Sequence, residues 1–166
     1  PAADAGLKRG DVIMAVDGQP VDDPEGLGYR LGTKAIGGTT EFSVMRAGKK
    51  TQVSVKLVAA PETPARDSVT IDTPSPFMGA TIVNLSPATV EEYSVEGANQ
   101  GVVIAQIAPA SQAAALNFQR GDVVMSINDT KIDTTRDLEK TVGKRHYFWK
   151  ITISRGGQVL TSVFGG

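Results

Sequence analysis

The chain has 166 residues, 40% hydrophobic and 21% charged, with a formal net charge of −1, an ordinary composition for one or two small globular domains. The near-neutral balance excludes the strongly basic footprint of a nucleic-acid-binding domain, and the absence of cysteine excludes disulfides and thiolate chemistry. No apolar run approaches the roughly 18 residues of a membrane span, and an opening on Pro1 without a leader pattern reads as a piece of a longer protein.

In chain order, the first expected elements are a short Ala-rich helix closed by Gly6 and an apolar strand beginning at Val12. A tight turn at Asp17 and Gly18 follows, then a helix with Asp23 as N-cap and Pro24 in its first position. Two alternating strands, 42–46 and 53–57, close around Ala47, Gly48 and Lys49. Residues 59–76 hold Pro61, Pro64, Pro74 and Pro76 among polar residues and read as a semi-rigid linker, with a short strand at 69–71. Next come a loop of Phe77, Met78, Gly79 and Ala80, a strand at 81–85, a helix capped by Ser86 and started by Pro87, and a strand at 102–107.

The remainder repeats the beginning. A constant offset carries residues 1–31 onto 112–142 without a gap, with Ala2, Ala3, Arg9, Gly10, Asp11, Val12, Met14, Asp22 and Leu27 identical in the second copy. Positions that differ make the same structural statement in other residues. Gly6 becomes Asn117, the two types that best tolerate a positive φ after a helix. Asp17 and Gly18 become Asn128 and Asp129, again a turn pair. The Asp23 cap becomes a Thr134–Asp137 capping box. Leu138 and Val142 then share a helical face, as Leu27 and Leu31 do, and a final hairpin around Gly156 and Gly157 ends the copy. Such a repeat implies duplicated domains: 1–58 as the later part of one unit, 59–76 as linker and 77–166 as a whole unit.

Several motifs point elsewhere and fail. Arg-Gly-Asp heads both copies (residues 9–11 and 120–122), but each Asp runs straight into an apolar strand, so the tripeptide has no free loop tip for adhesion. Gly10 and Gly121 supply the turn, and the Asp carboxylates accept backbone N–H groups where the strand begins. Gly26, Leu27, Gly28 and Tyr29 align with the middle of the second capped helix, and they lack the strand and third glycine of a dinucleotide fingerprint. His146 is the single histidine, and no serine sits in a nucleophile motif, so no catalytic residue is assigned. The acidic pairs Asp22–Asp23 and Glu91–Glu92 have no further ligands in range; no metal and no cofactor are expected. The basic and aromatic run KRHYFWK (144–150) reads as a helix end and strand start rather than a nucleic-acid patch.

The order strand, loop, strand, short helix, Gly-Asp, strand, tight turn, capped helix and hairpin resembles a PDZ domain in the circularly permuted form of bacterial proteases. The stretches GLKRGDVIMAVDGQPV (6–21) and FMGATIVNLSP (77–87) around a Pro-rich linker resemble the tandem PDZ region of the HtrA or Do-type serine proteases of the bacterial periplasm. The resemblance implies a mainly β, α+β fold with short helices, a partly open PDZ-like barrel or sandwich in tandem, its first copy incomplete. It implies peptide binding by strand addition, with Phe77, Met78, Gly79 and Ala80 as the carboxylate loop, Thr81 and Ile82 on the receiving strand, and Leu138 and Val142 on the facing helix. The expected partners are C-terminal or exposed hydrophobic segments of unfolded proteins, presented to a protease domain elsewhere in the parent protein, with oligomer assembly or strand exchange completing the first copy. The contrasting expectation is a PDZ scaffold of another envelope system, such as a site-2 or C-terminal processing protease or a secretion component, without a trypsin-like domain.

Overall fold

A computed structural model describes residues 1–165, which divide into two compact units, the first Pro1–Ala59 and the second from Ala60 on. Both are antiparallel and mainly β, with four short helices between them among the described residues. Neither sheet closes on itself. Gly166 lies outside the described residues.

The first unit holds β1 (Val12–Val16), β2 (Gln19–Pro20), α1 (Pro24–Gly32), β3 (Thr39–Arg46) and β4 (Lys49–Lys56), with sheet order β2-β1-β3-β4. Its core is small: Val16, Phe42, Val44, Val53 and Val55 are buried. The Ala-rich start forms a turn rather than the expected helix, with the Ala5 N–H donating to the Pro1 carbonyl and that of Leu7 to Ala2. A stretch this short completes one hydrogen-bonded turn, and helix nucleation is costly without elongation.

The second unit holds β5 (Val69–Thr70), β6 (Ala80–Asn84), α2 (Pro87–Glu92), β7 (Val102–Ile107), α3 (Gln112–Ala115), β8 (Val123–Ile127), β9 (Thr130–Lys131), α4 (Thr135–Val142), β10 (Phe148–Arg155) and β11 (Gln158–Gly165). Its strands run β11-β10-β8-β7-β6-β5, with β9 paired to β8. A large cluster includes Ile82, Ile104, Ile127, Leu138, Trp149 and Ile151, and a second forms around Val83, Val103 and Val123 on the other side of the sheet.

The repeat holds at the level of single bonds. Gly6 and Asn117 both have positive φ (92° and 59°), as do the turn residues Asp17 and Asn128 (47° and 48°). The carboxylate of Asp17 and the amide oxygen of Asn128 then each accept a backbone N–H from the neighbouring strand, Glu41 at 2.7 Å and Lys150 at 2.7 Å. Met14 and Met125 are both bulged out of register, and their carbonyls accept the N–H of Val21 and Ile132.

Arg-Gly-Asp is tied down in both copies. Asp11 accepts the Lys8 N–H (2.9 Å) and both nitrogens of a fork from Arg46 (2.7 and 2.6 Å). Asp122 accepts the Gln119 N–H (2.8 Å) and the matching fork from Arg155 (2.6 and 2.6 Å). Each arginine also donates to the carbonyl of the positive-φ residue, Gly6 or Asn117. One planar guanidinium thus fastens the helix-turn end, the strand start and the last hairpin together.

Within the Pro-rich 59–76 stretch, β5 pairs with β6, Val69 opposite Ile82 and Thr70 opposite Thr81. Residues from Ala60 on fold with the second unit.

Candidate functional site

The loop expected to receive a peptide end is built around Gly79. Its φ is +84°, and a Cβ there would lie 2.3 Å from the Cβ of Ser111, so both backbone conformation and space demand glycine. The carbonyls of Met78 and Gly79 accept the N–H groups of Ala113 and Ala108, which fastens the loop to α3 and to the residue that follows β7. Phe77 lies under the loop, fully buried and stacked on Phe118 at 5.0 Å between ring centroids. Met78 is partly exposed beside it.

From the loop, β6 runs with Ala80 and Ile82 fully buried and Thr81 half-buried. Leu138 and Val142 are buried on α4, whose capping box has the Thr134 hydroxyl accepting from the Asp137 N–H. The Thr134 hydroxyl, donating in return, holds the Asp137 carboxyl below its ordinary range. Phe77, Ala80, Ile82, Leu138 and Val142 join one apolar cluster, and Ile71 belongs to it too.

Ile71 has a particular place. Its N–H donates to the Ala80 carbonyl (2.9 Å), and its own carbonyl accepts the N–H of Gly79 (2.8 Å). Residues 66–71 thus run antiparallel along β6, past Thr70 and Val69, to Arg66, whose carbonyl accepts the Asn84 N–H (2.7 Å). The Asn84 side chain, 5% exposed, donates to the Ala65 carbonyl (2.8 Å) and accepts the N–H of Thr135 at the start of α4 (2.8 Å). Asp67 accepts from the Thr135 hydroxyl (3.0 Å), with the Arg136 guanidinium 3.6 Å away. Arg66 in turn pairs with Glu62 and Glu92, which keeps the Glu92 carboxyl below its usual range. The edge of β6 is therefore occupied by the chain itself.

Sequence reasoning missed Asn84 and the run of residues 66–68 that carries the strand expected at 69–71 on along β6. Val69, Thr70 and Ile71 were legible as strand formers, but their partner was not. The His146 ring accepts from the Asn128 side-chain amide at Nδ1 (3.0 Å) and donates from Nε2 to the Thr141 carbonyl (2.9 Å), so both nitrogens serve the fold. Among the described residues no group of three or more His, Cys, Asp or Glu could hold a metal ion, and no helix is long and apolar enough to cross a membrane.

A glycine loop that opens a sheet strand opposite a capped helix in the second unit, with the Gly-Asp strand start, tight turn, capped helix and hairpin present in both units, defines the class of domain. The chain matches the PDZ domain family over residues 1–57 and 76–162 and belongs to it. It is 32% identical over 142 residues to a probable periplasmic serine endoprotease DegP-like of Brucella suis biovar 1 (strain 1330), covering 86% of this chain and 27% of that one. It is 26% identical over 159 residues to the periplasmic serine endoprotease DegP of Escherichia coli (strain K12), covering 96% and 31%. The chain thus spans about a third or less of these relatives. Among solved structures, the HtrA3 PDZ domain bound to a phage-derived ligand (FGRWV) is similar, at 21% identity and a TM-score of 0.45 over 54% of this chain and 88% of that one. The chain carries tandem PDZ domains similar to those periplasmic endoproteases of the DegP type.

Proposed function

We propose that the second unit binds extended hydrophobic peptide segments by strand addition to β6, beneath α4, within a periplasmic DegP-type endoprotease to which it presents misfolded chains. The observation that carries this reading is the strand already lying there, with its backbone bonds to Gly79, Ala80 and Asn84. A site that accommodates one extended segment has the donors, acceptors and apolar floor to accommodate another. Phe77, Met78, Gly79 and Ala80 form the loop end, Thr81 and Ile82 the receiving strand, and Leu138 and Val142 the opposite wall. The test is a titration of isotope-labelled protein with an extended hydrophobic peptide at millimolar concentration. Amide shifts concentrated at residues 79–84 and along α4 are expected; shifts confined elsewhere would overturn the reading.

For the first unit we propose that a strand from outside residues 1–59, of the same protein or of another chain, completes the sheet beside β1. Val12 is 58% exposed, whereas Val123 at the same repeat position is fully buried, on a strand paired with β7. A protein that stays monomeric up to about millimolar concentration, with solvent-labile β1 amides, would remove support for completion between chains.

A further inference from the structure

We propose that residues 66–71 are a resident ligand of the β6 groove, and that this groove reads internal extended segments carrying a β-branched aliphatic residue at the position of Ile71. The proposal rests on the peptide-binding reading above and says what that site selects and what regulates it.

The first support is the pattern of bonds. Val69 and Thr70 pair with Ile82 and Thr81, Ile71 exchanges bonds with Gly79 and Ala80, and Asn84 holds the other end through both its backbone and its side chain. The occupant is gripped at each end and buries Ile71 to 2% exposure. The second support is that the segment lies outside both stretches matched to the PDZ family, residues 1–57 and 76–162.

The third support concerns the loop. A free C-terminal carboxylate is held by several converging N–H groups. Here the Met78 N–H donates to the Ser75 carbonyl (3.0 Å) and the Ala80 N–H to that of Phe77 (2.9 Å), both within the loop region. Gly79 alone of these three donates to the occupant, and what it meets is the backbone carbonyl of Ile71 with the chain continuing beyond. One donor matches a passing strand, not a chain end. Because only residues 72–76 separate the occupant from the loop, the segment competes with any outside peptide at the high effective concentration of a short tether.

The protein has no cysteine, which allows a clean test. Thr70 and Thr81 are directly opposite, with hydroxyls 3.0 Å apart, so Thr70→Cys with Thr81→Cys places two thiols within reach of a disulfide. The probe is a fluorescent peptide of residues 66–73, blocked at both ends. The expected results are efficient intrachain cross-linking and binding by the reduced form at least about tenfold tighter than by the oxidised form, since closing the groove lowers the competent fraction. The same peptide with a free carboxylate at Ile71 should bind no more tightly than one amidated there. Failure to cross-link, or equal binding by oxidised and reduced protein, would overturn the resident ligand while leaving a peptide site elsewhere on the unit. A preference of tenfold or more for the free carboxylate would overturn the internal-segment reading. A protein that cross-links yet binds no peptide in the reduced state, nor as Asn84→Ala, would sink the peptide reading itself.

Discussion

Asp122 has its side chain wholly removed from solvent and is saturated by Gln119 and the Arg155 fork. Its loss would strand a partly buried guanidinium and an amide, so Asp122→Ala is expected to destabilise the second unit by about 2–3 kcal/mol in urea unfolding. The equivalent Asp11 is held from the usual 3.8 to about 2, first by the Arg46 hydrogen bonds and then by the Lys8 N–H. Asp17 falls likewise to about 2, through the Glu41 N–H, Lys34 and Thr40. Both carboxyls bind protons more weakly folded than unfolded. Their contribution is therefore complete above about pH 5 and is lost as the pH drops from about 4 through 2. Thermal unfolding of the first unit should show that loss, and Asp17→Asn should flatten it. These forks were beyond sequence reading because the partners stand 35 and 33 residues apart. The turn residues Gly6, Asn117, Asp17 and Asn128 were legible, because their conformational preference is local. Gly79 has a second implication: with so tight a fit to Ser111, any side chain there disturbs the loop's fold before it informs on binding.

The two capped helices differ in support. α4 buries Thr135, Leu138, Thr141 and Val142, whereas α1 buries no residue fully and has glycine at 26, 28 and 32. A Cβ at Gly28 meets nothing within 4 Å, so Gly28→Ala should stabilise the first unit by up to about 1 kcal/mol; an unchanged melting temperature would contradict this. Gly26 is less suitable, since a Cβ there sits 3.1 Å from the capping oxygen of Asp23. Helix starts were readable from Asp23, Ser86 and Thr134, and strands from alternation in β3, β4 and β10. β5 was readable as a strand but not as an occupant. Its short run lies among prolines, and composition reports that a segment is extended without reporting which edge it covers. The outer strands β4 and β11 show another contrast of equals. β4 has Lys49, Lys50 and Lys56 along a free edge, while β11 exposes Val159 and Val163 with no charge in Gln158–Gly165. Lysines on an edge discourage further pairing, so Val163→Lys should lower any concentration-dependent association seen by light scattering.

The two units rest on unequal cores. Five hydrophobic residues are buried in the core of the first, against the two clusters of the second. Unfolding is therefore expected in two steps, the first unit melting earlier. Trp149 is the single tryptophan and belongs to the second unit. Its fluorescence should change only in the later step, whereas far-ultraviolet circular dichroism should register both. Coincident curves from the two probes would contradict independent units.

The occupying strand also has a mechanical meaning. The chain leaving the first unit at Ala59 reaches Arg66 and Asn84 before anything deeper in the groove. Tension along that connection loads the Pro61 carbonyl, which accepts the Ala88 N–H, then the Ala65 and Arg66 carbonyls, and then passes toward Ile71, so the bonds to β6 can part in sequence rather than all at once. A force that separates the two units would by the same pull bare the edge of β6. Single-molecule stretching would then record a small early lengthening, ahead of rupture of the sheet, that the Thr70→Cys, Thr81→Cys disulfide abolishes.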